Sequence, residues 1–406
     1  MEYELKIIAE NNAERYLLLN NSGGMYQINA FLYQVLLHYK KGYSSEAIAS
    51  EMSILYKNAS FNAATIETHI TTALATVSAT NKAGDPADEY VSGKITIVPE
   101  GAFTGLYRIL SALLFHRIVF PVLFVVAVVV SLFFFYNQHL YSFANLWNQS
   151  VSQLAVGNII LVYGIFLFIC LWHELGHATA SWKYGVQPRE IGFGFYFVFP
   201  VFYANVSGIW QLPAARRNVV NMGGIYFQLL VNLICIVAYS NHIYQPLLRI
   251  LIITNTVSIV CSLVPFFRYD GYWVFSDYFN IPNLKSRSTA LATDLLFSGI
   301  GKWRQLKGSL PLVLIFYTVT NVFFWLFVYA EVVVLIIRNT RALVSTLQQG
   351  SWLYIPITLP GIITAVSTVV TLWMLVFHFI HLSKLLGNER RKIPGTVQPA
   401  AGWHIA

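Results

Sequence analysis

Long apolar runs separated by polar and basic loops fill the chain after about residue 105, whereas the first hundred residues alternate short apolar and polar steps. Six runs are long enough to cross a hydrocarbon core of about 30 Å as helices: residues 118–136, 158–180, 222–241, 247–267, 311–337 and 353–382. In the polar beginning, Tyr16-Leu17-Leu18-Leu19 and Met25-Tyr26-Gln27-Ile28 flank Asn20-Asn21-Ser22-Gly23-Gly24, a pattern that predicts a β-hairpin. Helical spacing follows over Ala30 to Lys41, Ser45 to Tyr56 and Ala63 to Ala79. A polar linker, about Asn81 to Gly101, then leads to the first long run. Between the second and third runs, Glu190 to Val206 is rich in aromatic and β-branched residues and too interrupted for a helix, so it predicts one or two strands. The expected fold is mainly α: a polytopic membrane protein with about six transmembrane helices, a membrane-associated β-hairpin and a small N-terminal α/β domain. The expected divisions are 1–80 (N-terminal domain), 81–104 (linker), 105–385 (membrane domain) and 386–406 (basic tail).

Composition agrees with the membrane setting, since 56% of residues are hydrophobic and 11% charged, against about a quarter charged in a soluble domain. The net charge of +8 does not point to nucleic acid, because Lys and Arg gather beside alternate helix ends. Lys183, Arg189, Arg216 and Arg217 follow the second run; Arg268, Lys285, Arg287, Lys302, Arg304 and Lys307 follow the fourth; Lys384, Arg390, Arg391 and Lys392 follow the sixth. The opposite loops are poorer in both. By the positive-inside rule, both termini of a multi-pass protein would then be cytoplasmic, with His177 toward the cytoplasmic end of its helix. The beginning is polar and mixed in charge, so no cleavable signal peptide is expected. Cys170, Cys235 and Cys261 all fall in apolar runs and read as small core residues rather than a disulfide framework.

The second run carries His173-Glu174-Leu175-Gly176-His177. Positions i and i+4 share a helix face, so both imidazoles could hold one Zn²⁺ while Glu174 reaches a water as general base. Left unpaired among Phe, Leu and Ile, these polar groups would cost several kcal/mol, which favours the metal reading over chance. A third ligand is needed. The carboxylates of the membrane region are few: Glu174, Glu190, Asp270, Asp277, Asp294 and Glu331. Asp270 is the best candidate, because it ends the fourth run on the side assigned to His177, where Pro265 and Gly271 allow the chain to bend. The plain alternative pairs Asp270 with Arg268. The extended segment 190–206 could line a wet cavity and accept a substrate by strand addition, or could merely anchor the protein at the interface. Candidate substrate contacts are Gly192, Gly194 and Asn205 on that segment, and Pro265. Met222-Gly223-Gly224 would let the third helix approach the metal-binding helix closely.

These two motifs, a HExxH on one transmembrane helix and Asp270-Gly271 after a later one, resemble the site-2 protease type of intramembrane zinc metalloprotease over roughly residues 155–285. The run Phe266-Phe267-Arg268-Tyr269-Asp270-Gly271-Tyr272-Trp273, followed by Ile281-Pro282-Asn283-Leu284, is most similar to the bacterial peptide zinc metalloprotease branch. The resemblance implies one Zn²⁺ per chain on His173, His177 and Asp270, with Glu174 as catalytic base and a peptide bond in or near a bacterial inner membrane as substrate. The family commonly has Asn where this chain has Val264, so its polar hold on the substrate backbone would be arranged differently here. Residues 3–80 resemble PqqD-like winged-helix domains that bind leader peptides of ribosomally made, modified peptides. That implies a precursor peptide as substrate, with an exporter or modifying enzyme as partner, besides membrane lipid. A small regulatory domain without a peptide ligand is the alternative. The expected function is peptide maturation by a zinc metalloendopeptidase. The alternatives are a membrane component that binds or exports a peptide without cleaving it, and regulated proteolysis of a transmembrane signalling protein. Glu331 reads as a functional group or a protonated packing residue, and His378 and His381 as an interfacial pair.

Overall fold

The computed structural model describes residues 3–10, 13–20, 25–57, 60–79, 91–139, 156–196, 199–243, 245–281, 283–293 and 312–348. They are mostly helical and separate into two units, one reaching residue 281 and the other starting at Asn283. The first unit opens with an antiparallel sheet of β1 (Tyr3–Glu10), β2 (Ala13–Asn20) and β3 (Met25–Ile28) in that order. The β2–β3 pairing, Tyr16 opposite Ile28 and Leu19 opposite Met25, is the expected hairpin; β1 is an addition. Helices α1 (Ala30–Lys40), α2 (Ser45–Leu55) and α3 (Ala63–Ala79) end within a residue of expectation. The side chains of Asn29 and Ser44 start the first two by accepting from backbone N–H groups that a helix leaves unpaired. Val35, Ile48, Met52 and Ile66 are fully buried among the three helices.

The β1–β2 sheet is covered on both faces. Alternation puts Tyr3, Leu5 and Leu18 on one face, where they pack with Leu36 and Ala73. It puts Lys6, Ile8, Arg15, Leu17 and Leu19 on the other, and there too Ile8, Leu17 and Leu19 are buried. On this second face Lys6 Nζ donates to Gln211 Oε1 at 2.9 Å, and Arg15 Nη2 donates to the Trp210 carbonyl at 2.6 Å. The sheet therefore rests on the 3₁₀ turn Ser207–Gln211.

Half of the expected linker is not a linker. Strand β4 (Ser92–Val98) pairs with β5 (Glu190–Tyr196), which pairs with β6 (Phe199–Asn205), so the predicted hairpin becomes the far side of a three-stranded sheet. Ile95 and Val98 supply β-branched residues for a ladder whose partner lies about a hundred residues later. A short helix, α4 (Thr104–Leu114), connects to the apolar helices α5 (Val119–Asn137) and α6 (Val156–Lys183). After the sheet, α7 (Ala214–Asn221) turns at Met222 into α8 (Gly223–Ser240), and α9 (Gln245–Leu263) returns.

Five described segments are long and apolar enough to cross a membrane: Val119–Asn137, Ile160–Lys183, Ala214–Ser240, Gln245–Leu263 and, in the second unit, Leu312–Glu331. The sixth expected span, 353–382, with His378 and His381, lies outside the described residues, as does the tail. The exposed side chains of α5 include Val125, Val129, Leu132 and Phe133, a surface suited to lipid rather than water. Glu331 closes the last of these segments and is exposed.

The fourth span stops at Leu263, four residues short of expectation. Pro265 explains the stop, because its ring disfavours helical backbone at Val264 and it has no N–H to donate. The chain turns through residues 264–269 and starts a new helix, α10 (Asp270–Tyr278). Asp270 thus begins a helix instead of ending a span, which corrects the expected placement. Gly271 makes the turn feasible: a Cβ there would overlap the backbone of Leu263.

Two features bind the apolar helices. At Gly176 and Gly223, α6 and α8 meet backbone to backbone, since a Cβ on Gly176 would overlap the Gly223 carbonyl oxygen. Between α8 and α9 runs a polar seam: Asn255 Nδ2 donates to the Gln228 carbonyl at 2.9 Å and to Asn232 Oδ1 at 2.8 Å, and Asn232 Nδ2 donates to Thr256 Oγ1 at 2.8 Å. In an apolar surround each such bond contributes about 0.6 kcal/mol, and the seam also fixes the register of the two helices.

Candidate metal centre

His173 and His177 lie one turn apart on α6, and α10 brings Asp270 to meet them. The two Nε2 atoms are 3.0 Å apart; Asp270 Oδ2 is 3.1 Å from the first and Oδ1 is 3.3 Å from the second. All three residues offer ligand atoms within 4.8 Å of one another, so the expected set is brought together. The side chains are 12%, 10% and 16% exposed, which leaves little water to satisfy them.

The surroundings fix which nitrogens face inward. His173 Nδ1 lies 2.9 Å from Gln228 Oε1, and His177 Nδ1 lies 2.8 Å from the Val220 carbonyl. A carbonyl oxygen only accepts, so each Nδ1 carries the proton and each Nε2 turns a lone pair toward the other. Val220 is in the last turn of α7, where carbonyls run beyond the helical ladder and are open to outside donors. The break at Met222 therefore supplies the acceptor that sets the tautomer of His177. Gln228 is held in turn by Ser258 Oγ at 3.3 Å.

Two facing lone pairs beside a buried carboxylate repel one another unless a cation lies among them. Tetrahedral zinc with bonds of about 2.0–2.1 Å has ligand-to-ligand edges of about 3.3 Å, close to the spacings here. Asp270 Oδ2 is buried and accepts no hydrogen bond, as expected of an atom meant for a metal. The donor set thus fits a zinc-like ion. The imidazoles rest directly on Gly224, where a Cβ would stand 2.5 Å from both Nε2 atoms.

The three residues open onto a cavity of about 750 Å³. Tyr163, Phe166, Leu167 and Cys170 of α6 form an apolar wall, Ser258, Cys261 and Ser262 of α9 face it, and residues 200–206 of β6 and its end form another side. Strand β6 is the edge of its sheet, and its Ala204 N–H donates to the carboxylate of Glu174. Glu174 therefore stands between the His173–His177–Asp270 group and the outer strand of that sheet among the described residues.

Among the candidate substrate contacts, Asn205 lines the cavity, where its Oδ1 also accepts from the Ser207 hydroxyl at 2.9 Å. Gly192 and Gly194 sit in the middle strand, under the Tyr203 ring and beside Val91 respectively, and neither borders the cavity. Pro265 lies in the turn before α10, also off the cavity wall. Cys170 borders the cavity but is outside the ligand cluster.

A buried ion pair adjoins the site. Arg217 Nε and Nη2 donate to Asp277 Oδ1 at 2.9 and 2.7 Å, Arg217 Nη1 donates to the Leu212 carbonyl, and Asn221 Nδ2 donates to Asp277 Oδ2 at 3.2 Å. The residues are 2% and 5% exposed. Burial pushes the Asp277 carboxyl upward, and the bonds and charge of Arg217, with the charge of Arg15 and the Asn221 amide, pull it back.

Gln228, Val220 and the Arg217–Asp277 pair are parts of this site that the sequence reading does not single out, whereas Gly224 belongs to the Met222-Gly223-Gly224 segment expected to bring the third helix close. One signal was present for the first: an amide at Gln228 and another at Asn232, one turn apart, interrupt an otherwise apolar run. Gln228→Leu is expected to weaken zinc binding by roughly tenfold to a hundredfold, measured by chelator competition, because His173 loses the partner that orients it. Compared with known proteins, the chain matches no family model, no curated protein and no solved structure.

Proposed function

We propose that the protein is an intramembrane zinc metalloendopeptidase, with His173, His177 and Asp270 as metal ligands and Glu174 as general base. The observation that supports this best is the convergence of both Nε2 atoms and the Asp270 carboxylate, with their outer partners already set, beside a carboxylate that borders a cavity. A bound zinc ion would act as a Lewis acid on a peptide carbonyl and acidify a water. The chain's own residues do the rest. Glu174 takes a proton from the attacking water and delivers it to the leaving amine. The Ala204 N–H orients that carboxylate, and β6, the outer strand of its sheet among the described residues, can receive the substrate as an added strand, placing a backbone carbonyl near the ligand set. The apolar wall of α6 restricts bulk water and suits a membrane-associated peptide.

The resemblance of residues 3–80 to leader-binding domains favours a ribosomally made precursor peptide over a transmembrane signalling protein. The basic residues that follow the His-Glu helix favour delivery from the cytoplasmic side. Purified protein in detergent is expected to contain about one zinc per chain. It should cleave a membrane-partitioning peptide library, lose that activity on chelation and regain it when zinc is restored. Zinc-loaded, folded protein that cleaves no peptide would leave the binding or export alternative as the better account.

A further inference from the structure

Asp270 and Asp277 are seven residues apart on α10, so their side chains project from the same face of that helix. The first carboxylate meets the two imidazoles; the second is gripped by Arg217 through two bonds to one oxygen and by Asn221 at the other. A nine-residue helix preceded by a turn has little of its own to fix its rotation about its axis. The grip at Asp277 supplies that, and it does so from α7, whose last turn also orients His177 through Val220. Both sides of the ligand set are therefore referenced to one short helix.

The grip has a second source. Arg15, on strand β2 of the N-terminal sheet, donates to the carbonyl of Trp210. The Trp210 ring in turn covers the Arg217 guanidinium at 5.3 Å and meets Trp273 of α10 edge-on at 5.7 Å. Lys6 fastens the next residue, Gln211. The face of the sheet that carries Arg15 and Lys6 also buries Ile8, Leu17 and Leu19.

We propose that Asp277 is the positioning residue for Asp270, held by Arg217 of α7, and that the N-terminal sheet steadies this grip through Arg15 on Trp210 and Trp210 on Arg217, so that seating of the sheet sets the affinity of the metal site. The proposal rests on the reading of His173, His177 and Asp270 as ligands, but not on peptide cleavage. Any event that lifts the sheet, such as an added strand on its β3 edge, would then loosen the third ligand while leaving the histidines in place.

The test uses the full chain in detergent, with Zn²⁺ competed against a chelator and Co²⁺ as a spectroscopic substitute. Arg15→Ala is expected to weaken zinc binding about tenfold, as typical for a lost outer partner, and to shift the visible Co²⁺ bands. Arg15→Lys, which keeps the charge and a donor, should restore both, and Asp277→Asn should lower affinity at least as far as Arg15→Ala. Unchanged affinity and an unchanged Co²⁺ spectrum in Arg15→Ala would overturn the proposal. If Arg15→Ala does not fold, Lys6→Ala, which removes the other bond from the sheet to this turn, is read by the same criterion. Wild-type protein that binds zinc but cleaves nothing would overturn the peptidase reading alone.

Discussion

Glu174→Gln protein is expected to keep its zinc and lose peptide cleavage by about a thousandfold, within the range for removing a general acid–base. The two properties separate because Glu174 is not among the converging ligand atoms. Its carboxylate faces the cavity and accepts from the Ala204 N–H, and an amide oxygen in its place can still accept that bond. What the amide cannot do is take a proton from water at neutral pH. Metal content by elemental analysis and cleavage by mass spectrometry measure the two sides. Cleavage that persists in zinc-loaded Glu174→Gln would remove Glu174 from its role.

The second large effect comes from one methyl group. Gly224→Ala should reduce zinc affinity by a hundredfold or more, because the new Cβ would stand 2.5 Å from both Nε2 atoms and 2.6 Å from His173 Cδ2, more than the typical loss of an outer partner. Separating the helices to admit it would break the backbone-to-backbone contact of α6 and α8 at Gly176 and Gly223. Overpacking of this kind costs about 1–3 kcal/mol in stability, so part of the effect will appear as a lower thermal transition. Gly164→Ala is the control: it lies on the same helix as the histidines, meets nothing within 4 Å, and should leave zinc binding unchanged. Equal zinc affinity in Gly224→Ala and Gly164→Ala would mean that α8 does not press on the imidazoles.

The grouping of His173, His177 and Asp270 was legible in the sequence for reasons that do not depend on tertiary detail. Two histidines four apart share a helix face whatever surrounds them, and a carboxylate in an apolar region needs a partner. The long spans and the three N-terminal helices were legible because their periodicity is local. What the sequence withheld depends on partners distant along the chain. Strand β4 reads as a polar linker until β5 is beside it, and β1 shows its role only when Lys6 finds Gln211. Gln228 is an ordinary amide until α8 is rotated against α6. The end of α9 was placed four residues late because a run of apolar residues through Phe267 outweighed the local veto of Pro265. The same misreading put Asp270 at the end of a span instead of at the start of α10.

The position of the ligand set along α6 also works as a ruler. His177 is six residues before Lys183, the last residue of that helix, which at 1.5 Å per residue puts it about 9 Å below the basic end. An extended chain advances about 3.3 Å per residue. For a substrate entering from the Lys183 end, at least three unfolded residues must therefore separate the scissile bond from any folded or bulky part that stays outside. On the proposed function, substrates trimmed below that spacer would go uncut.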